Sequence, residues 1–508
     1  MHFTSYEFIG FLLVLTIFYY TIFKKLQWPL LLVANVFFYV WAGYQTSIFI
    51  FITAITVFFA AKALENSNLA QKQYLKEHKE ELDKEAKTAY KASCQRKRNL
   101  ILTVTVAFNL CILIVLKYVG FFLQPLGISF YTLMAIGYLI DINRASYEAE
   151  KNVLRFITFT TFFPVVIQGP ISKYNEVAPS MFKEHTFDTN QFMSGMLRIM
   201  WGFFKKLIVA DRIGIAVSLI TGDSCTYAGG YVLVGMLFYT CQLYADFTGG
   251  IDVTIGVAKI LGINLSENFL RPYFSVSLKE YWRRWHITMC QWFRTYVFYP
   301  VSTSKTIQNI SKALRSKGHT TLGKKLPVHL SSLIVWTLTG VWHGANFNFL
   351  VWGLLNFFIL MISEELDPLY TRFHGRFGFS NTKGYKIFAM LRTFLLICVL
   401  NLFDCYKTVG ETLGAIASVF TSKGYSAISS GALMELGLSG IDYIIIAIGV
   451  AVMFVVSLIQ EHYATSDKEL TVSSYVKLVL TLVLFICVIM FGAYSIGYDS
   501  SQFIYNQF

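Results

Sequence analysis

Two histidines stand inside apolar sequence, and they are the side chains whose type and setting could best carry chemistry. His343 lies in the run Trp336-Thr-Leu-Thr-Gly-Val-Trp-His-Gly-Ala-Asn-Phe-Asn-Phe-Leu-Val-Trp, with apolar, helix-like sequence on both sides. His286 ends the run Lys279-Glu-Tyr-Trp-Arg-Arg-Trp-His. An ionisable group kept within an apolar segment is expensive, so it needs a partner or a task. Neutral imidazole is cheaper to bury than a carboxylate or an ammonium, and it titrates near enough to neutrality to move protons. General-base catalysis at membrane depth is the chemistry these residues could do, although a hydrogen-bonded structural histidine is the plainer reading of either one alone. The neighbours of His343 favour chemistry. Gly340 and Gly344 bracket it, which permits close backbone approach or a broken helix, and Asn346 and Asn348 add polar groups nearby. A metal site is not expected, because Asn346 and Phe347 occupy the positions where a second ligand on the same helical face would stand. The remaining histidines fall in loops or at the ends of apolar runs. The 8 cysteines are scattered singly, with no disulfide or zinc spacing.

The elements that must position these residues are helices in lipid. The 508 residues are 55% hydrophobic and only 14% charged, and the mean hydropathy of +0.52 lies outside the range of soluble domains. Apolar runs recur along nearly the whole chain, among them Phe8 to Phe23, Pro29 to Trp41, Ile48 to Ala61, Leu100 to Leu116, Tyr231 to Leu243, Tyr443 to Ile459 and Leu478 to Gly492. Several approach the ~20 residues a spanning helix needs, and others are short enough to be tilted, broken or re-entrant. Their spacing predicts an all-α polytopic membrane protein with roughly 10 to 13 membrane-embedded helices. The runs are continuous, without the alternation of a β-barrel.

The net charge of +13 does not indicate nucleic acid, because the basic residues concentrate in loops between apolar runs, as the positive-inside rule requires. Lys24 and Lys25, the polar stretch from Lys62 to Asn99, Asn143 to Lys151, Lys305 to Lys325 and Arg372 to Lys386 read as cytoplasmic. Parity then places both termini outside. Met1 to Glu7 lacks a basic n-region, so the first apolar run is expected to be a permanent span. No internal repeat or low-complexity linker is evident, and residues 1–508 read as one membrane domain with a cytoplasmic polar loop at about 62–99, itself a solvated helix. From Arg198 to Arg212 and from Asn268 to Tyr299, aromatic and basic residues interleave. Such segments suit helices lying at the interface or dipping partway into the bilayer, with Lys205, Lys206, Arg283 and Arg284 snorkelling or facing an aqueous cavity.

Four blocks now make a resemblance specific: Tyr244-Ala-Asp-Phe-Thr-Gly-Gly-Ile-Asp, Glu267-Asn-Phe-Leu-Arg-Pro-Tyr, Tyr281-Trp-Arg-Arg-Trp-His-Ile-Thr and Gly340-Val-Trp-His-Gly-Ala. With Pro125-Leu-Gly-Ile-Ser-Phe-Tyr-Thr and Phe163-Pro-Val-Val-Ile-Gln-Gly-Pro-Ile upstream, their order and spacing resemble the membrane-bound O-acyltransferases, in particular the bacterial branch of AlgI-like and DltB-like proteins. The resemblance covers most of the chain. It implies helices around a thin centre with a central tunnel, His343 as the essential catalytic histidine and His286 as the second. It also implies that Trp342, Asn346, Asn268, Arg283 and Arg284 lie along the substrate path. Two departures stand out. Thr295 replaces the acid of a Trp-Leu-Arg-Asp-Tyr pattern, and Val301-Ser-Thr-Ser-Lys replaces a Gly-Gly-Asn-Arg turn.

The activity so implied is transfer of an acyl group, acetyl by resemblance, from a cytoplasmic thioester to an extracellular or cell-wall polysaccharide. The donor is acetyl-CoA or another acyl thioester on CoA or a carrier protein. No bound cofactor is expected, and an extracytoplasmic SGNH-type acyltransferase or esterase is the expected partner in the cell membrane. The terminal Phe503-Ile-Tyr-Asn-Gln-Phe resembles an aromatic terminal motif of this branch, which makes Tyr505 a candidate acyl relay, against the alternative of an interfacial anchor. D-alanyl transfer to teichoic acid remains open, and so does a non-catalytic polysaccharide or lipid transporter, which would carry an inverted repeat.

Overall fold

Apolar sequence can satisfy its backbone away from water only by pairing it internally, and the chain does so with helices. The computed structural model describes residues 2–119, 124–223, 226–379, 382–422, 425, 430–465 and 472–494, and no strand occurs among them. Among the described residues, six helices are long and apolar enough to cross a membrane: Ile48–Glu77, Lys84–Val119, Phe347–Phe377, Lys383–Cys405, Gly440–Thr465 and Ser474–Phe491. Shorter apolar helices of 10–17 residues accompany them, including Tyr6–Tyr20, Gln27–Gly43 and Ile128–Asn143. The expectation of roughly 10 to 13 embedded helices counted both kinds. Polar residues mark the starts. Ser5, Asp83, Thr382, Thr408 and Ser473 each accept a backbone N–H of the first turn, a cap that stabilises a helix by about 1 kcal/mol.

The chain divides into two compact units. The first comprises Met1–Met196 and Thr254–Ser266. Its centre is the helix Ile128–Asn143, buried on nearly every side. That helix starts from Gly127, whose φ of +65° leaves no strain-free place for a side chain and whose missing Cβ would stand 2.3 Å from the Val166 carbonyl oxygen. The break between helices Val153–Thr160 and Phe163–Gln168 is held by Asn35, which donates to the Thr158 carbonyl at 3.1 Å and accepts the Phe163 N–H at 3.2 Å. The polar stretch 62–99 is helical for most of its length. It forms the end of Ile48–Glu77 and the start of the helix Lys84–Ile114, joined where Arg98 donates to Gln71 at 2.7 Å.

The second unit comprises Leu197–Val253 and Glu267–Phe508. Within it, Gly202 and Gly249 let two helices cross in contact: a Cβ on Gly202 would lie 2.5 Å from the Gly249 carbonyl oxygen. That crossing puts Lys205 and Lys206 against carboxylates. Lys206 lies 2.7 Å from Asp211 and 2.6 Å from Asp246, and Lys205 lies 2.5 Å from Asp252. Asp252 also receives Arg198 at 2.9 Å. Both lysines are buried, so of the two expected placements, snorkelling or facing an aqueous cavity, snorkelling does not hold for them. Their chains sit on a π-helical turn, Phe204–Ala210, that faces the interior, where an opposite charge is worth more than a long reach to water. The aromatic and basic segment after Glu267 breaks into the short helices Leu278–Arg284 and Ile287–Phe293. It is followed by a tightly packed pair, Thr320–His343 and Phe347–Phe377.

Candidate active site

His343 is the last residue of the helix Thr320–His343. Glycines explain how this end reaches the interior. A Cβ on Gly340 would stand 2.5 Å from the Phe349 carbonyl oxygen, and one on Gly353 2.4 Å from that of Trp336. The two helices can therefore touch backbone to backbone just behind the histidine. Gly344 then leaves the helix in extended geometry, with Phe349 where its side chain would be. The His343 ring is buried and packed against Trp352 at 4.9 Å between centroids, Trp342 at 5.1 Å and Phe349 at 6.1 Å.

His286 is fully buried and sits between two short helices at φ +44°, a left-handed conformation that costs a non-glycine residue about 1–2 kcal/mol. Asn268 holds it there. The Asn268 backbone carbonyl accepts the Ile287 N–H at 3.0 Å. Its side-chain Oδ1 accepts the Thr288 N–H at 3.1 Å and the Thr288 hydroxyl at 2.9 Å, and lies 3.3 Å from His286 Nδ1. Phe247 packs edge-on to the imidazole at 4.9 Å, and Trp342 lies 6.1 Å away. Trp342 is thus in contact with both His286 and His343, and the two histidines come together around it.

His343 lines a small chamber with Tyr281, Trp282, Trp285, Trp352, Asn401 and Asp404; the space open to the centre of a water-sized molecule is about 20 Å³, room for one water or a group of that size. His286 is not among its lining residues. Trp282 also lines a wide cleft of about 750 Å³ that includes Trp336 and the charged residues Lys279, Arg283, Arg294, Glu364 and Asp367. Trp282 donates its indole N–H to Asn356 at 3.0 Å and contacts Trp336 at 4.9 Å and Trp352 at 5.6 Å, so a tryptophan wall separates cleft from chamber.

The other sequence candidates are spread more widely. Arg283 is exposed and lines the cleft. Arg284 turns away from it to pair with Glu280 at 2.7 Å and Glu461 at 3.0 Å. Asn346 is exposed at the start of Phe347–Phe377, where its carbonyl accepts the Phe349 N–H at 3.0 Å. Asn348 is the buried one of the two asparagines, donating to the Tyr406 carbonyl at 2.6 Å. Tyr505 lies outside the described residues. Sequence reading missed Asn401 and Asp404, which lie near the end of the helix Lys383–Cys405 and line the chamber. A carboxylate in so apolar a helix was the available signal. No group of three or more metal-ligating side chains occurs among the described residues.

Residues 37–403 match the membrane-bound O-acyltransferase family. A probable alginate O-acetylase of Pseudomonas syringae is 32% identical over 284 residues, covering 54% of this chain and 48% of that protein. A peptidoglycan O-acetyltransferase of Helicobacter pylori is 27% identical, covering 59% and 58%. A teichoic acid D-alanyltransferase of Bacillus subtilis is 25% identical, covering 54% and 66%. The chain thus spans about half the length of the curated relatives it matches. Both histidines, the aromatic wall and the glycine crossing behind His343 fall inside the matched stretch, which is well over half of the sequence, and this multi-pass membrane protein belongs to the membrane-bound O-acyltransferase family.

Proposed function

We propose that the chain transfers an acyl group from a cytoplasmic thioester to a hydroxyl of an extracellular or cell-wall polysaccharide, with His343 as the general base. The observation that carries the reading is the placement of His343: a buried imidazole at a helix end, opening onto a chamber that shares Trp282 with a wide cleft. A thioester is already activated, so orientation of the reactants and removal of the acceptor proton supply much of the rate. The cations of the cleft, Lys279, Arg283 and Arg294, outnumber its acids, Glu364 and Asp367, and suit the anionic carrier of such a donor, acetyl-CoA or another CoA or carrier-protein thioester. His286, fully buried beside Phe247 and Trp342, supports the same centre. The tunnel across the protein, the cytoplasmic side of 62–99, the external termini, residence in the cell membrane, the single membrane domain over 1–508, the SGNH-type partner and the relay at Tyr505 belong to this reading. A second reading, D-alanyl transfer, is favoured by the likeness to a teichoic acid D-alanyltransferase.

The test is surface-polymer acylation in cells carrying the wild type or His343→Ala. Loss of ester with the variant at normal membrane abundance supports the reading; substantial ester from a well-expressed variant overturns it.

A further inference from the structure

The chamber beside His343 has a carboxyl group that base catalysis does not require. Asp404 contributes a carboxylate to it. Its Oδ2 accepts the Tyr239 hydroxyl at 2.7 Å, whereas its Oδ1 is buried and has no hydrogen-bond partner. No basic side chain forms an ion pair with Asp404 among the described residues. A carboxylate oxygen taken from water without compensation is costly. It is also an unhelpful neighbour for a reaction that builds negative charge on a carbonyl oxygen.

Around it stand five aromatic residues, Tyr281, Trp282, Trp285, Phe349 and Trp352, with Leu243, Asn401 and His343 completing the lining. Trp282 has its N–H committed to Asn356, so toward the chamber it offers ring surface. Aromatic faces around a carboxylate form a cage for a cation, because the ring quadrupoles and the anion attract the same charge. The open space, about 20 Å³, is that of a water or a primary ammonium.

We infer that Asp404 and the surrounding rings form a binding site for a primary ammonium group carried by one of the two reactants. The ammonium belongs either to the acyl group, which is then an aminoacyl group, or to the acceptor, which is then an amino sugar. The site itself stands on the chamber's geometry, and assigning its cation to a reactant rests on His343 being the reaction centre. With the cation in place, the carboxylate is neutralised and the reacting carbonyl is fixed relative to His343 by a charged anchor.

Alaninamide and propionamide, which differ by the ammonium alone, serve as probes, and tryptophan fluorescence of the purified full chain in lipid nanodiscs is the readout. Saturable quenching by alaninamide and none by propionamide is expected. Asp404→Asn should weaken alaninamide binding by about tenfold or more. Equal responses to the two probes in the wild type overturn the site whether or not the variant folds, and unchanged alaninamide affinity in a folded Asp404→Asn protein overturns the role of the carboxylate. Mass spectrometry of the ester released from the polymer by mild base identifies the source: an aminoacyl ester assigns the ammonium to the donor, and a simple acyl ester on an amino sugar assigns it to the acceptor. A simple acyl ester on a polymer without amino groups overturns the inference. If His343→Ala abolishes acylation while the probes fail to discriminate, the acyltransferase reading stands and the ammonium site falls. If the probes discriminate while His343→Ala acylates fully, the ammonium site stands and His343 is removed as the base.

Discussion

Asn268 settles which nitrogen of His286 carries the proton. Its Oδ1 accepts the backbone N–H of Thr288 at 3.1 Å, a donor that cannot be reversed, so the amide oxygen is the atom facing His286 Nδ1 at 3.3 Å. An oxygen can only accept. Nδ1 therefore holds the hydrogen, and in the neutral imidazole Nε2 keeps its lone pair.

Asn268→Leu removes that control along with the anchor for Thr288. Acyl transfer should fall by about 10²-fold, mainly in kcat, with KM for the donor little changed. A fall confined to KM would show that Asn268 shapes donor binding instead.

Gly340→Val drives a side chain into the Phe349 carbonyl, 2.5 Å from where its first carbon would stand. Overpacking of this kind destabilises by ~1–3 kcal/mol, and because the clash separates the helix that carries His343 from its partner, activity should fall as well. Thermal unfolding of the detergent-solubilised protein reads the first effect and the acylation assay the second. Gly384, with nothing within 4 Å of its missing Cβ, is the control, and Gly384→Ala should leave both unchanged.

Lys206→Met leaves Asp211 and Asp246 buried without the ammonium that lies 2.7 and 2.6 Å from them. Losing one partner of such a cluster destabilises by ~3–5 kcal/mol. The triple replacement Lys206→Met, Asp211→Asn and Asp246→Asn should recover part of the loss, measured as melting temperature; no recovery would mean that the lysine acts mainly through packing.

Cysteine labelling from outside intact cells should miss positions within 62–99 and within 305–325 and reach Phe508→Cys. Labelling of the first two and protection of the third would reverse the topology.

Tyr505→Phe keeps an aromatic anchor and removes the hydroxyl. Loss of polymer acylation at normal membrane abundance is expected of a covalent relay, and wild-type ester content would reduce Tyr505 to an anchor.

What the sequence made legible follows from local rules. His343 and His286 are visible because each is a titratable group in apolar surroundings and because the blocks around them recur in order. Long apolar runs make the spanning helices plain. Pairings between distant segments are not visible in one sequence. Lys205 and Lys206 read as an interfacial pair until Asp246, Asp252 and Asp211 are brought against them through the contact of Gly202 with Gly249. Asn346 and Asn348 look equivalent as text, and only the phase of the helix beginning at Phe347 buries the second and exposes the first. Asp404 obeys the same rule that singled out the histidines, but it stands near the end of a different helix, where nothing local ties it to them.

The left-handed backbone at His286, with φ of +44°, separates endurance from work. An alanine there keeps the strain and loses the ring, whereas a glycine loses the ring and relaxes the turn. Of the substitutions that remove the ring, glycine is therefore the one that adds no backbone strain to the cavity it leaves, and it is the replacement that best isolates the loss of the imidazole.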